Sequence, residues 1–198
     1  MKLDATLQEE CAGSAGPGPE DVAAAPPDPR ALRRALGRYA TGVTVVTARA
    51  PGPAGAPVGV TANSFTSVSL EPPLLLWCLD LRSSTRPVFL AAGWFAVNVL
   101  AADQAALSVR FATPGGADKF AGLGWAEGLG GSPLLPGCLA RFECRTERAV
   151  EAGDHVVLIG RVLRASHREE GEPLLFLGGR YRLPGPPLAA ARGEREGA

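Results

Sequence analysis

The sequence has few of the residues that bind metals or build disulfide frameworks. Its 198 residues include two histidines and four cysteines, and no two cysteines are spaced as CxxC. His155 and His167 do not stand at ligand spacing with cysteines or carboxylates, so no metal site is expected. No stretch combines a basic flank, an apolar core and a small-residue cleavage site. The sequence therefore predicts a cytoplasmic protein with reduced thiols.

A charge excess and long apolar runs are also missing. The chain has 20 basic and 20 acidic residues, so we expect no broad electrostatic surface for nucleic acid or an anionic membrane. The longest apolar runs, such as residues 74–79, are far shorter than the ~20 residues that span a bilayer. We therefore expect no nucleic-acid partner and no membrane segment.

The two commonest nucleotide-binding fingerprints are absent. No GxGxxG opens a helix after a strand, and no GxxxxGKS/T motif occurs. A nucleotide ligand would therefore have to bind on a different scaffold.

The sequence predicts one folded domain between two arms. Residues 11–29 and 184–198 are rich in alanine, glycine and proline and show no periodic apolar pattern. This composition predicts mobile segments over 1–29 and 184–198. The domain, residues 30–183, is long enough to bury a sizeable core.

Hydrophobic patterning predicts mostly strands. Asp28 and Pro29 are typical of a helix start, and short helices are also expected within 83–93 and 103–112. The β-favouring runs are 43–48, 58–64, 74–81, 94–100, a long hairpin over 140–171 and a closing strand at 173–183. Strand-rich order with only short helices favours a mainly β fold, a closed antiparallel barrel, over alternating βαβ units.

The segment GVTANSFTSVSLEPP, residues 59–73, concentrates hydroxyls and an amide just before an apolar run. On an ideal strand these hydroxyls would point to both faces, which does not suit a simple buried strand. Small residues at 62, 64 and 67 would let the main chain approach a flat polar heterocycle. The segment is also compatible with a solvated edge strand that runs into a Pro-Pro turn.

The loop RSSTRP, residues 82–87, places three hydroxyls between two guanidinium groups at the start of a predicted helix. Helix N-terminal N–H groups and arginines both favour an anion, so a phosphate would fit there. Serine and threonine at a helix start also serve as plain N-caps. Both interpretations stay open on this evidence.

Taken in order, several segments resemble the flavin reductase family. They are TGVTVVTA, GVTANSFTSVSLEPPLLLWCL, SSTRPVF, FAVNVL, RFA, DKF, GDHVVLIGRV and PLLFLGGRYRL, and they extend over residues 31–183. The resemblance implies a flavin-binding split barrel of Greek-key type that supplies reduced flavin to a partner monooxygenase. The Gly/Pro-rich insertion PGPAGAP, residues 51–57, departs from the family pattern.

The resemblance also implies a set of flavin-binding residues. In the family the segment equivalent to TANS holds the isoalloxazine edge, the SST loop meets the ribityl chain and phosphate, and RFA and DKF flank the phosphate or adenylate end. The residues that inherit these roles are Thr61, Ala62, Asn63, Ser64 and Ser67 for the ring, Ser83, Ser84 and Thr85 for the phosphate, and Phe111, Ala112 and Lys119 for the far end.

Two further residues take roles from the resemblance. His155, in GDH, matches a histidine that the family places close to the nicotinamide, and we assign it as the catalytic-site residue. Tyr181, in GGRY, matches a residue of the site wall. A lone histidine at a strand start and a core or interface tyrosine are the structural alternatives.

The function implied is an NAD(P)H:flavin oxidoreductase that passes hydride from NADH or NADPH to FAD or FMN. Because the two cofactors carry the difficult chemistry, no catalytic triad is expected. A homodimer is expected, since the apolar runs exceed what one small barrel hides. The alternatives are a non-catalytic flavin carrier, a flavin oxidase of the pyridoxamine-phosphate type, and an anion-binding barrel without flavin.

Overall fold

The protein is described by a computed structural model that covers residues 28–115 and 118–186. The predicted arms therefore lie almost entirely outside the described residues. Chain contacts divide the protein into two units, residues 1–36 and 37–198. In the first unit, helix α1 (Pro29–Leu36) begins where the sequence predicts, because the Asp28 carboxylate accepts the Ala31 N–H at 3.0 Å.

The second unit contains the strands and two further α-helices, α2 (Arg86–Ala92) and α3 (Ala105–Ala112). Its described strands are β1 (Thr41–Gly42), β2 (Thr44–Arg49), β3 (Pro57–Ala62), β4 (Thr66–Leu70), β5 (Pro73–Asp80), β6 (Trp94–Val99), β7 (Ala126–Glu127), β8 (Pro133–Leu134), β9 (Ala140–Ala152), β10 (His155–His167), β11 (Leu175–Leu177) and β12 (Arg180–Arg182). A mainly β fold with few helices is therefore confirmed.

Seven strands form the main antiparallel sheet, in the order β3-β2-β6-β9-β10-β5-β4. Its centre is the predicted long hairpin, β9 and β10, which turns at Gly153 with a φ of +62°. The hydrogen-bonded order ends at β3 on one side and at β4 on the other. Closure of this sheet into a barrel therefore stays a prediction.

The chain after β10 differs from the prediction. Instead of one closing strand over 173–183, it forms a hairpin of β11 and β12 that turns at Gly178 and Gly179, whose φ values are +61° and +77°. The hairpin pairs with β1 in a separate three-stranded sheet. Glycine at both turn positions explains the difference, because a two-residue turn with positive φ favours glycine.

Two apolar clusters pack on the strands. The first surrounds Trp77, whose ring contacts Phe89 and Phe95 at centroid distances of 4.9 and 5.9 Å. The second contains Phe111 and Phe120, at 5.1 Å. Strand β2 contributes to both clusters, since almost all of its residues are buried. The second cluster fixes α3 and the loop after it, which carry several of the predicted site residues.

Three of the four cysteines lie among the described residues. Cys78, Cys138 and Cys144 are free thiols there, and burial raises the pKa of Cys138 to about 11 and that of Cys144 to about 12. Both thiols therefore stay protonated at neutral pH.

Within residues 28–115 and 118–186, no helix has the length and apolar character needed to cross a bilayer.

Candidate functional site

A cleft of about 840 Å³ brings together segments that are distant in the sequence. It lies among β3, the end of β5, the loop before α2, the end of α3 and the loop that follows α3. Six of the predicted site residues line it: Ser83, Ser84, Thr85, Phe111, Ala112 and Lys119. The remaining lining residues are Gly59, Val60, Asp80, Arg82, Thr113, Pro114 and Gly115.

The hydroxyl loop of the cleft is shaped by the residues just before it. The carboxylate of Asp80 accepts the Arg82 backbone N–H at 2.8 Å and the Arg82 guanidinium at 2.9 Å. These bonds from Arg82 lower the pKa of Asp80 to about 2. Asp80 is therefore ionised at neutral pH and holds the turn that presents the three hydroxyls. Asp80 was not among the predicted site residues. The Arg82 guanidinium, one of the two predicted to favour an anion at this loop, is paired with Asp80 instead.

The hydroxyls of this loop bond to one another. Ser83 Oγ lies 2.9 Å from Thr85 Oγ1, and Ser83 Oγ also accepts the Thr85 N–H at 3.3 Å. Thr85 occupies the N-cap position of α2 but makes no side-chain cap bond. The plain N-cap interpretation of Thr85 is therefore not what the structure shows.

The opposite wall of the cleft is formed by α3 and Lys119. The Lys119 ammonium donates to the Phe111 carbonyl at 3.0 Å, and burial lowers the pKa of Lys119. Helix α3 lies directly on β3 at Gly59, where an added Cβ would be 2.5 Å from a Phe111 ring carbon. Only glycine allows this approach, so Gly59 sets the position of the RFA segment.

A smaller cavity of about 200 Å³ shares Ala112 with the cleft. Besides Ala112, three further predicted site residues line it, Thr61, Asn63 and Tyr181, together with Val43, Ser108 and Phe176. The Thr61 hydroxyl donates to the Ser108 carbonyl at 2.7 Å, and the Ser108 hydroxyl lies 2.8 Å from the Tyr181 hydroxyl.

Ser108 was missed by the sequence analysis. Its hydroxyl is fully buried and connects Tyr181 to α3. Helical spacing could have found it, because Ser108 stands four residues before Ala112 and therefore on the same helix face.

Three of the predicted ring-binding side chains lie elsewhere. Ala62 is buried in the first apolar cluster. Ser64 Oγ accepts the Cys78 N–H at 2.9 Å and so connects the segment after β3 to β5. Ser67 is exposed on edge strand β4, and lines neither the cleft nor the smaller cavity. Residues 66–70 thus form the solvated edge strand that was the alternative interpretation of this segment.

His155 lies on the strand next to the cleft wall. It starts β10 and is the direct cross-strand partner of Asp80, so the two side chains share one face of the sheet. Its Nδ1 atom is 2.7 Å from a carboxylate oxygen of Asp154, and this bond lowers the pKa of Asp154. The His155 side chain is 43% exposed, which leaves it accessible to a ligand.

Comparison with known proteins identifies the family. The family model described as flavin reductase like domain matches residues 36–184. The chain therefore belongs to the flavin reductase family, as its ordered segments indicate.

Individual relatives extend over most of the domain. FMN reductase (NADH) SmoA of Agrobacterium fabrum is 52% identical over 152 residues, which are 77% of this chain and 84% of the relative. HsaB of Rhodococcus jostii, the reductase subunit of a flavin-dependent monooxygenase, is 44% identical over 160 residues, 81% of this chain and 80% of HsaB.

One solved structure among those similar to this protein holds ligand fragments. It is the NADH:FAD oxidoreductase SgcE6 of Streptomyces globisporus in complex with NAD and FAD fragments. The two chains are 41% identical and have a TM-score of 0.74, and the match covers 82% of this chain and 98% of SgcE6.

Proposed function

We propose that the protein is an NAD(P)H:flavin oxidoreductase that reduces FAD or FMN with hydride from the nicotinamide and releases the reduced flavin to a partner monooxygenase. The observation that carries the proposal is the cleft, which gathers the SST, RFA and DKF segments of a flavin reductase around one space. SmoA and SgcE6 are both named for NADH, so NADH is the expected donor. HsaB supports a monooxygenase partner.

The residues of the cleft fit a flavin phosphate. The cleft volume falls in the range of roughly 300–1,000 Å³ that is usual for small-molecule sites. Lys119 supplies a positive charge, and Ser83, Ser84 and Thr85 supply hydroxyl donors in the same space. A charge-assisted hydrogen bond from an ammonium to a phosphate is among the stronger polar contacts in proteins.

The smaller cavity provides the polar contacts for the flavin ring. Asn63 and Tyr181 line it, and Thr61 holds the wall to α3. The Ser64 hydroxyl is bonded to Cys78 and is therefore not available to the flavin, so the proposed contact of Ser64 is made by its main chain. Backbone N–H groups near Asn63 and Ser64 would stabilise the negative charge that arrives with the hydride. Ala62 and Ser67 line neither the cleft nor the smaller cavity, so the proposal gives them no direct contact with the flavin.

His155 positions the nicotinamide in this proposal. A bound flavin supplies the hydride acceptor, and the protein has to align the two rings rather than supply an acid or a base. The hydrogen bond between His155 Nδ1 and the accepting Asp154 carboxylate orients the His155 ring beside the Asp80 wall of the cleft. Its position beside the cleft supports the proposed contact between His155 and a donor bound over the cleft.

We also propose that the main sheet closes into a split barrel and that the protein forms a homodimer. Closure is supported by contacts between the two ends of the sheet. Cα atoms of edge strand β3 and of β5, the strand next to edge strand β4, approach within 8 Å, and Ser64 bonds to the backbone of β5. The dimer is supported by large apolar side chains that one copy leaves exposed, such as Leu70 and Leu163.

The proposal is tested by mixing the desalted protein with each flavin and each pyridine nucleotide and following the nicotinamide absorbance. NADH should be consumed only when FAD or FMN is added. Flavin binding without NADH consumption would instead support a flavin carrier or an oxidase of the pyridoxamine-phosphate type. Failure to bind either flavin would support an anion-binding protein and overturn the proposal.

A further inference from the structure

A serine in the middle of α3 connects three elements around the smaller cavity. The Ser108 carbonyl accepts the Thr61 hydroxyl of β3 at 2.7 Å, and the Ser108 hydroxyl lies 2.8 Å from the Tyr181 hydroxyl of β12. All three residues line the cavity. Ser108 therefore joins both strands to the helix at the wall of the proposed ring site.

The Ser108 hydroxyl does not bond to its own helix. In helices a serine hydroxyl commonly donates to the carbonyl four residues earlier, which for Ser108 belongs to Gln104. Within residues 28–115 and 118–186, Tyr181 is the one hydrogen-bond partner of this hydroxyl. The Ser108 hydroxyl is thus directed at Tyr181 rather than at α3.

The surroundings of the two hydroxyls determine which of them donates. The 2.8 Å distance is compatible with either oxygen as the donor. The Ser108 side chain is fully buried, whereas Tyr181 is only partly buried. A buried donor without an acceptor costs about 1–3 kcal/mol. The arrangement that satisfies both groups therefore has Ser108 donating to the Tyr181 oxygen, with the Tyr181 O–H directed into the cavity.

The Tyr181 ring is held in place by its neighbours. Tyr181 is the direct cross-strand partner of Phe176, and the two rings pack edge to face with centroids 5.6 Å apart. Both side chains also pack against the second apolar cluster. With the ring held, the direction of the O–H bond is the remaining freedom of the Tyr181 hydroxyl, and the bond from Ser108 removes it.

A fixed donor at this cavity becomes important when the hydride arrives. Hydride transfer adds negative charge to the flavin, and the ring nitrogens and carbonyl oxygens of its pyrimidine portion carry that charge. A preorganised O–H donor bonds more strongly to the charged reduced ring than to the oxidised ring. Among the described residues that line the smaller cavity, none is cationic, so hydroxyl and amide donors have to provide this stabilisation.

We propose that Ser108 is a positioning residue that directs the Tyr181 hydroxyl hydrogen toward the bound flavin, so that Tyr181 stabilises the reduced ring more than the oxidised ring. The inference rests on the proposed function, because it takes the smaller cavity as the ring site. Ser108 contacts Tyr181 and not the flavin. Its effect on flavin binding therefore has to pass through Tyr181.

The test compares Ser108→Ala, Tyr181→Phe and the double variant with the wild-type protein. The matched control is Ser132→Ala. Ser132 is also fully buried, its hydroxyl has no hydrogen-bond partner within the described residues, and it lines neither the cleft nor the smaller cavity. Anaerobic equilibrium dialysis measures the Kd of oxidised and of dithionite-reduced FMN and FAD for each protein. Thermal melting without flavin shows that each variant is folded.

Tyr181→Phe should raise the Kd of reduced flavin about tenfold, because it removes a hydrogen bond to a charged group. The Kd of oxidised flavin should rise about threefold or less, since that ring is neutral. Ser108→Ala should show the same preference for the reduced form, with a rise of about fivefold. The double variant should match Tyr181→Phe, because a residue that acts through Tyr181 has no effect once the hydroxyl is gone. Ser132→Ala should bind both forms as the wild type does.

Equal losses of affinity for the two redox forms in Ser108→Ala would show a merely structural role and overturn the inference. A double variant whose loss is the product of the two single losses would also overturn it. If Ser108→Ala does not fold, Tyr181→Phe decides alone, since equal losses for the two forms there remove the proposed donor. A wild-type protein that binds flavin and oxidises NADH while the variants give any of these results rejects only the role of Ser108. A wild-type protein that binds neither form of flavin rejects the proposed function as well.

Discussion

Asn63 and Ser64 are neighbours in the chain but have different structural roles. Ser64 contributes to the fold, since its hydroxyl accepts the Cys78 N–H and donates to the Cys78 carbonyl. Asn63 is exposed and lines the smaller cavity beside Tyr181. Substitution of the two residues should therefore affect different properties of the protein.

Asn63→Leu should weaken flavin binding by about 1–3 kcal/mol, because it removes hydrogen-bonding groups from the ring-binding cavity. Its melting temperature should stay close to that of the wild type. Ser64→Val, in contrast, should lower the stability, since it leaves the Cys78 backbone groups without their partner. Flavin fluorescence titration and thermal melting separate the two effects. An unchanged flavin affinity in Asn63→Leu would remove that residue from the site.

His155 and His167 stand at opposite ends of β10 and provide a variant and its control. His155→Ala should raise the KM for NADH or slow hydride transfer, because His155 is assigned to the nicotinamide. Its affinity for oxidised flavin should be nearly unchanged. His167→Ala should behave as the wild type in both assays, since His167 contacts Glu169 on the surface. Loss of flavin affinity in His155→Ala would place His155 at the flavin instead.

At the scale of elements, the turn after β5 depends on the ion pair between Asp80 and Arg82, in which the Asp80 carboxylate titrates at low pH. Hydrogen bonds from Arg82 lower the pKa of Asp80 from its ordinary 3.8 to about 2. A lowered pKa means that the ionised form is favoured in the folded state. The stabilisation that the ionised carboxylate contributes is fully present above the pKa of Asp80 in the unfolded chain, and it is lost as the pH falls from about 3.8 to about 2.

Asp80→Asn should therefore lower the melting temperature slightly at neutral pH, and the difference from the wild type should shrink as the pH falls through that window. The effect is small because the ion pair is exposed to solvent. Melting curves recorded at several pH values between about 2 and 7, a range that includes the ordinary carboxyl pKa values, measure this difference in melting temperature. A difference that stays constant down to the lowest pH would show that Asp80 does not act through its charge.

Local sequence signals predicted most elements but not their partners. Asp28, the β-favouring runs and the hydroxyl loop are local patterns, and the structure shows α1, β2, β3, β5, β6 and α2 at those places. The hairpin at Gly178 and Gly179 was predicted as one strand, although paired glycines between apolar runs indicate a turn. Its pairing with β1 joins segments more than 130 residues apart, and no local pattern specifies such a contact.

The same limit applies to the candidate site. The SST, RFA and DKF segments could be named because each is a short motif, and the cleft brings them together. Asp80, Gly59 and Ser108 were missed because their roles depend on contacts across the fold. The Gly59 main chain meets the Phe111 ring, and the Ser108 hydroxyl meets Tyr181. Such contacts appear only when the strands and α3 are assembled.

At the scale of the whole molecule, the protein should be a homodimer. Leu70 on β4 is 92% exposed, and Val150 and Leu163 are exposed on the central hairpin. Light scattering during gel filtration should give about twice the 20.4 kDa of one chain. Leu70→Arg tests whether β4 contributes, because a charge in an apolar interface should shift the protein toward monomer. A wild-type protein that is only monomeric at micromolar concentration would contradict the expected dimer.

The central claim is that flavin is a substrate that leaves after reduction. A reductase that supplies a separate monooxygenase has to hold flavin modestly, so we expect a Kd on the order of micromolar, near −8 kcal/mol. The most direct measurement is NADH oxidation by extensively dialysed protein as a function of added flavin. We predict a colourless protein with no activity until flavin is added, and then a rate that saturates with flavin concentration. A protein that retains one flavin per chain through dialysis and oxidises NADH without added flavin would contradict this account.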